Sequence, residues 1–444
     1  MNVDIVYLAF AAASPVAFRF WRPAVAVLLV FLGGWILLPV GHYPTGSTSA
    51  AFPYWIIGLA LPSDLLVSKA WIAPTAAFLG VALFDRATLL SFRPSWLDVP
   101  VALWCAWPLL AAPFIADPRP SPALASLYLA GCWALPWLLG RLYFATPDGQ
   151  RLLARGLAVS ALACLPFSVV EGVWGPDLYG LLYEPHPFRF DGDARYVGFR
   201  PIGFFEHGNQ FGLWMSLSAL AAWWLAATEP QDRRRRWRAV AIGVTALALA
   251  AQSIGAIVLL AAGGVALLAR HRAWPRRALA GAVLVVTVAA AAYLAGALPI
   301  THIAKETALG RRVVDGFRSV GRGSFTWRIS QDQKLLGDAM RAPMTGSQQW
   351  DWWRAKDIRP WGLPLLVIGQ FGLGGLVLML VVFLAPLGVL ARRPPRADIA
   401  RGDGLPLLMA SLVVLSLTDA LLNSFIFFPA IVAAAALARP LRRD

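Results

Sequence analysis

Charge is scarce in this chain. Only 14% of its 444 residues are Asp, Glu, Lys or Arg, against 58% hydrophobic, and the mean hydropathy is +0.62. A soluble domain carries about 25% charged residues, so a soluble globular fold is excluded and lipid must cover much of the surface. Acids are scarcer still, 24 against 39 basic residues. Cysteine is nearly missing. Cys105, Cys132 and Cys164 sit singly in apolar runs, which excludes a disulfide framework and a cysteine metal site. No zinc-ligand spacing, phosphate-binding glycine loop or nucleophile elbow occurs, so neither a metal nor a cofactor is expected. No small-residue cleavage site follows the first apolar segment, which is therefore expected to stay as an anchor.

What the chain does have is long apolar runs. Those at 278–298 and 363–390 exceed the roughly 20 residues that cross a bilayer. The predicted fold is all-α: a polytopic transmembrane helical bundle of about 12 spans, forming one integral membrane domain over 1–444. Spans are expected near 70–84, 97–115, 122–140, 156–175, 208–227, 239–252, 254–269, 278–298, 362–390, 404–422 and 425–438. The pair 239–252 and 254–269 reads as two short helices meeting at Gln252 and Ser253. The first 40 residues hold one or two more spans, broken by Pro15 and by the basic Arg19 and Arg22.

The net charge of +15 would suggest nucleic acid in a soluble protein. Here the basic residues cluster between apolar runs, at Arg233 to Arg236 with Arg238, at Arg270, Arg272, Arg276 and Arg277, and at Arg392, Arg393, Arg396 and Arg401. A last group is Arg439, Arg442 and Arg443. Short basic loops stay cytoplasmic, so the charge sets topology and nucleic acid is not an expected partner. Two long connections, 175–207 and 299–361, are then expected outside. The second is net basic, with eleven Lys or Arg against six acids. Long loops escape the positive-inside rule, but such a loop needs a functional reason. Within it, 324–342 reads as an amphipathic helix lying on the outer membrane surface, capped by Ser324, striped by Leu335, Leu336, Ala339 and Met340, and ended by Pro343.

The densest polar stretch runs from Arg200 to Gln210 and opens an apolar helix. Arg200 there and Arg328 in the second loop are candidates to grip a phosphate, since guanidinium stays charged and binds phosphate in two-pronged fashion. For Arg328 the competing reading is an ion pair with Asp332 one turn along a helix. Glu206 and His207 are candidate general bases, and a helix N-terminus favours a neutral imidazole. Asn209 and Gln210 would position substrate or simply cap the helix. Gln252 and Ser253 would line the cavity floor, with Arg322, Arg341 and Trp361 as further substrate contacts from the loop. The segment 180–198 adds Glu184, His186, Arg189, Asp191, Asp193 and Arg195, suited to a sugar platform or to a solvated turn. Most of the 20 tryptophans fall near span ends, as interfacial belts require, while Trp350, Trp352 and Trp353 would dock the large loop on the bilayer or stack on glycan.

Three motifs in order resemble the bacterial O-antigen ligase and O-antigen polymerase superfamily. They are Arg200, Gly203 and His207-Gly208-Asn209; Arg328 with Pro343 and Gly346; and Gly372-Leu373-Gly374-Gly375. With the two outer loops they cover 175–375. The resemblance implies a metal-independent glycosyltransferase of the inner membrane, with its active site facing the periplasm. Its substrate would be an undecaprenyl-pyrophosphate-linked glycan, and a chain-length regulator and a flippase would be partners besides membrane lipid. It implies Arg200 and Arg328 as the pyrophosphate grip, with Glu206, His207 and Asn209 as base and positioning groups. Two departures stand out. Ser253-Ile254-Gly255 replaces the family's Ser-Arg-Gly, and Trp361 stands where ligases carry a histidine. The second shifts the expectation from ligation onto a lipid A core toward polymerisation of repeat units. A transporter or lipid-linked glycan flippase is the reading of another class. It is disfavoured because transporters bind at the midplane, while here ionisable residues gather in the loops and lone cases such as Asp64, Glu171 and Asp419 lie near span ends.

Overall fold

A computed structural model describes residues 1–41, 68–183, 196–272, 274–294, 306–319, 324–356, 358–392 and 404–438, with isolated positions between them. Among the described residues every regular element is helical, and only isolated β-bridges occur besides. Among the described residues six helices are long and apolar enough to cross a membrane: Val3–Phe20, Trp96–Phe114, Pro122–Tyr143, Pro147–Trp174, Gly208–Thr228 and Leu363–Arg392. Shorter apolar helices stand beside them at Pro23–Leu37, Lys69–Phe84, Ile254–Leu268 and Leu405–Ala420. The protein is a helical membrane protein.

Local sequence explains where these helices bend. Pro166 cannot donate to the preceding turn, and the Pro147–Trp174 span bends at Cys164 between its two halves. Contrary to the expectation from sequence, Pro15 does not break its segment but sits inside Val3–Phe20; the chain turns at Trp21 and restarts at Pro23. The basic run Arg233 to Arg236 also differs from expectation. It lies inside the Gln231–Ala250 helix rather than in a connection, because arginine is a good helix former and its stem can snorkel. The expected junction of two short helices is present: Gln252 takes a left-handed backbone, φ 48°, between Gln231–Ala250 and Ile254–Leu268.

The Gly208–Thr228 helix is the hub. It is buried along nearly its whole length and packs on Pro147–Trp174, Gln231–Ala250, Ile254–Leu268 and Leu405–Ala420. Glu229 at its far end accepts from Arg155 Nη2 at 2.5 Å, closing that end with a charge-assisted bond. Several tryptophans depart from the interfacial belt. Trp35, Trp104, Trp133, Trp214 and Trp224 are fully buried. They pack edge-on or stacked, Trp35 on Phe428 at 4.5 Å and Trp104 on Phe371 and Trp133 at 5.1 and 5.4 Å. Ring–ring packing of this kind holds helices where lipid supplies no hydrophobic drive.

The Ser324–Ala339 helix matches the predicted position, but its apolar stripe serves a different partner. Leu335 and Ala339 are buried in the protein core against Leu363–Arg392, so the stripe faces protein and not lipid. Trp350, Trp352 and Trp353 likewise pack inward. Trp353 is buried, Trp352 covers Gly369, and the Arg354 guanidinium lies 4.9 Å over Trp350.

After this helix the chain docks on the Leu363–Arg392 span largely through backbone, with the Ser347 hydroxyl also donating to Gly369 O at 2.9 Å. Leu373 N donates to Pro343 O at 2.7 Å, Gly374 N to Met344 O at 3.1 Å, and Gln348 N to Gln370 O at 2.8 Å. The span is broken at Gly372 (φ 69°, ψ −176°) to permit this. Gly346 (φ 68°) faces it, so closely that a Cβ on either residue would meet the other's backbone nitrogen at 2.5 Å. Two of the three motifs noted in the sequence therefore form one joint.

Candidate functional site

The site is built where the start of Gly208–Thr228, the helix Ser324–Ala339, the turn 359–362 and the connection after Leu405–Ala420 meet. Arg200 is buried. Its Nε donates to Ala251 O at 2.9 Å and its Nη2 to Asn209 Oδ1 at 2.7 Å. Asn209 Nδ2 donates to Asn423 Oδ1 at 3.2 Å, and the same oxygen accepts from Arg328 Nη1 at 2.6 Å. Arg328 Nη1 also donates to Leu422 O at 3.0 Å. Asn423 Nδ2 donates to Asp419 Oδ2 at 3.0 Å, which fixes the orientation of the amide. One hydrogen-bonded chain thus links two arginines that lie 128 positions apart in the sequence.

A third guanidinium joins them. Arg359 is buried and lies 3.6 Å over the Trp361 ring, while Arg328 lies 4.8 Å over the same ring. The indole face spreads partial negative charge under both cations. Trp327 packs edge-on to Trp361 at 5.1 Å. The buried Asp332 carboxylate holds the turn, accepting from Trp361 N at 2.6 Å and Gly362 N at 2.8 Å. Burial pushes its carboxyl up to about 6, against the pull of those two amides and of Arg359 and Arg328. The alternative sequence reading paired Asp332 with Arg328 on one helix face. Asp332 turns to the 361–362 backbone instead.

The remaining sequence candidates do not all join the cluster. His207 caps the Gly208–Thr228 helix, its Nδ1 accepting from Asn209 N at 3.0 Å. With that lone pair engaged, the neutral ring carries its proton on Nε2 and offers a donor rather than a base. Gln210 Oε1 accepts from Glu206 N at 3.0 Å, holding the approach to the helix. Glu206 is 4% exposed, and its Oε2 makes no hydrogen bond with any described residue. Burial raises its carboxyl to about 8, against the pull of Lys69 and then Arg359. Gln252 braces a loop: its Oε1 accepts from Tyr196 N at 3.0 Å and its Nε2 donates to Val197 O at 2.8 Å. Ser253 is buried against Gly212. Arg341 stays out of the cluster, exposed and ion-paired with Asp338 at 2.8 Å. Arg322, Glu184, Arg189, Asp191, Asp193 and Arg195 lie outside the described residues. His186 is buried, its Nε2 2.9 Å from Phe205 O.

No protein-family model matches the chain, and no curated protein matches it significantly.

Two apolar cavities lie beside the residues that hold the arginines. The first, of 340 Å³, is lined by Met340, Leu363, Leu376, Leu421 and others between the helices Trp274–Leu294, Leu363–Arg392 and Leu405–Ala420. Leu421 immediately precedes Leu422, the residue that receives Arg328, and Leu363 follows the Gly362 held by Asp332. The second, of 200 Å³, shares Val283, Leu384 and Val414 with the first, so the two form one groove. Among the described residues no cluster of His, Cys, Asp and Glu has metal-binding geometry.

Sequence reasoning missed Arg359, Asn423, Lys69 and the anchoring role of Asp332. Arg359 was hidden among eleven basic residues of one loop. Asn423 had a usable signal: with Asp419 it puts polar side chains at the end of an apolar span, which costs free energy unless they hold something. Glu171, noted from sequence as a lone acid, is structural. It is fully buried and accepts from Ile202 N and Gly203 N at 2.8 and 2.7 Å, fixing the bend before Glu206.

Proposed function

We propose that the chain is a metal-independent glycosyltransferase of the O-antigen polymerase kind. It would span the bacterial inner membrane about twelve times and polymerise undecaprenyl-pyrophosphate-linked repeat units on the periplasmic face. The carrying observation is the arginine cluster Arg200, Arg328 and Arg359, bridged by Asn209 and Asn423, at the head of an apolar groove. That pairing suits one class of ligand, a pyrophosphate bearing a long apolar chain. Fixed cations grip the phosphates, and the groove between Trp274–Leu294, Leu363–Arg392 and Leu405–Ala420 takes the tail.

The chemistry follows from charge. An acceptor hydroxyl attacks the anomeric carbon. Its O–H proton goes to a base as the new C–O bond forms, and the bond to pyrophosphate breaks with its electron pair on the leaving group. Prepositioned guanidinium groups stabilise that departing charge at no reorganisation cost. Glu206 is the better base among the sequence candidates. A carboxylate raised to about 8 holds a proton far more readily than an ordinary one, whereas His207 has its Nδ1 lone pair committed to the helix cap. Trp361 supports polymerase over ligase, because an indole has no lone pair to accept a proton where ligases carry histidine.

The test is the glycan profile of a deletion strain complemented with wild type, Arg200→Ala or Arg328→Ala. Polymerase function requires long polymer to vanish and single repeat units to remain at normal membrane levels of the protein. Long polymer that persists on its carrier but never reaches a final acceptor would make the protein a ligase. Unchanged polymer in both variants would sink the transferase reading and bring the flippase forward.

A further inference from the structure

Lys69 belongs to no motif noted in the sequence, yet it is one of the most completely buried side chains in the protein, with 0% exposure. Lysine is almost never fully buried unless something holds its charge. Here its Nζ donates to Phe204 O at 2.6 Å and to Trp35 O at 3.2 Å. It also sits over the rings of Phe205 and Trp35, at 5.1 and 5.2 Å from their centroids. Trp35 and Phe205 both pack on Trp214, at 6.0 and 5.4 Å, so the cage is rigid and shared among three segments of the chain. Phe204 and Phe205 lead directly into Glu206, whose Oε2 is buried and makes no hydrogen bond with any described residue. An ammonium has thus been carried into the core and fixed against the two residues that precede a candidate base.

We propose that Lys69 is a positioning residue for Glu206: its caged ammonium fixes the segment 204–206 and stabilises the ionised carboxylate that takes the proton of the attacking hydroxyl. The proposal rests on the transferase reading for the proton's source. In the step itself, the hydroxyl oxygen bonds to the anomeric carbon and its proton passes to Glu206. The pyrophosphate leaves with the electron pair of the broken C–O bond, and Glu206 later releases the proton to water. Of the cations acting on this carboxyl Lys69 exerts the largest pull and Arg359 the next. The other titratable groups that face the pair are Tyr7 on Val3–Phe20, Cys164 at the bend of Pro147–Trp174, Tyr128 behind Ser68, and His186 against Phe205 O. His207 follows Glu206 in the chain. None of these carries a fixed positive charge that would replace the ammonium.

The test titrates Glu206 directly, without substrate. Purified protein in lipid nanodiscs is followed by its protonated-carboxyl infrared band across pH, with Glu206→Gln identifying the band by its loss. Lys69→Met is expected to move the midpoint upward by at least about one pH unit, as loss of a nearby opposite charge does. Lys69→Arg, which keeps the charge, should restore most of it. In membranes supplied with lipid-linked repeat units, the pH limb of polymerisation should move by the same amount. A midpoint unmoved in folded Lys69→Met overturns the proposal, as does a titration shift with an unmoved pH limb. Should Lys69→Met fail to assemble, Lys69→Gln, which keeps a donor for the Phe204 and Trp35 carbonyls but no charge, takes its place, and an unmoved midpoint in it overturns the proposal. Wild type that titrates as expected yet makes no polymer would instead overturn the transferase reading.

Discussion

Replacing Gly208 with alanine puts the sequence view and the structural view on opposite sides. Gly208 is the first residue of the Gly208–Thr228 helix. Helix propensity alone predicts that Gly208→Ala stabilises, by up to about 1 kcal/mol. In the structure the new Cβ would lie 2.5 Å from Arg200 Cζ and 2.8 Å from its Cδ. That is roughly 1 Å inside ordinary carbon contact distance, so the guanidinium has to move. Moving it breaks the bonds to Ala251 O at 2.9 Å and Asn209 Oδ1 at 2.7 Å. Hydrogen bonds to charged groups contribute about 1.5–3 kcal/mol each, so the anchoring lost is about 3–6 kcal/mol. At about 1.4 kcal/mol per decade of rate, polymerisation falls about a hundredfold to ten-thousandfold, close to the loss in Arg200→Ala. The control is Gly255→Ala near the start of Ile254–Leu268, where a Cβ meets nothing within 4 Å. The assay pairs the glycan ladder of complemented cells with thermal unfolding of the purified variants. A Gly208→Ala protein that makes wild-type polymer would refute the placement of Arg200 and the role given to it.

Other perturbations follow from the same geometry. Asn423→Ala removes the oxygen shared by Asn209 and Arg328; one charged hydrogen bond of about 1.5–3 kcal/mol predicts a tenfold to hundredfold loss of polymerisation with little change in Tm. Arg359→Ala should match Arg328→Ala in raising the requirement for lipid-linked donor, whereas Arg341→Ala, exposed and paired with Asp338, should read as wild type. Gly346→Ala drives its Cβ into the backbone carbonyl of Gln370 and needs a left-handed backbone, so membrane levels of the protein should collapse on immunoblotting. Asp332 has a raised carboxyl, about 6, so the folded state binds a proton that the unfolded chain releases. Stability from this group is present at low pH and falls as pH rises from about 3.9 to about 6. Asp332→Asn should therefore flatten the drop in Tm over that window, and an unchanged pH slope would contradict the burial of this carboxyl.

The architecture was legible because membrane spans announce themselves by length and apolarity. Leu363–Arg392 and Gly208–Thr228 begin and end within a few residues of the runs seen in the sequence. The break at Gln252 was legible too, from polar residues interrupting an apolar stretch. Partners across the fold were not. Arg200 and Arg328 stood out as charges at membrane level, but nothing local says that Asn423 bridges them or that Arg359 shares the Trp361 ring with Arg328. The stripe of Leu335 and Ala339 shows where its difficulty lies. Periodicity identifies an apolar face but not whether lipid or protein covers it. Lys69 was invisible for a related reason, since a lone lysine beside an apolar run reads as an interfacial anchor until its cage of carbonyls and rings is seen.

The break at Gly372 divides the Leu363–Arg392 span into two mechanical parts. The joint with 343–348 straddles it: Gln370 O accepts from Gln348 N above the break, while Leu373 N and Gly374 N donate to Pro343 O and Met344 O below it, and the Asp332 contacts to 361–362 tie the upper end to the arginine cluster. Below it, Leu373, Leu376 and Leu380 form a wall of the apolar groove. The helical backbone is interrupted at that one residue, yet both halves are pinned to the same loop, so the break is a fixed bend and not a swivel. On the function proposed above, a lipid tail laid along that wall would therefore sit at a set distance from the cations that grip its head. One loop thereby sets the relation between groove and arginine cluster across a single glycine.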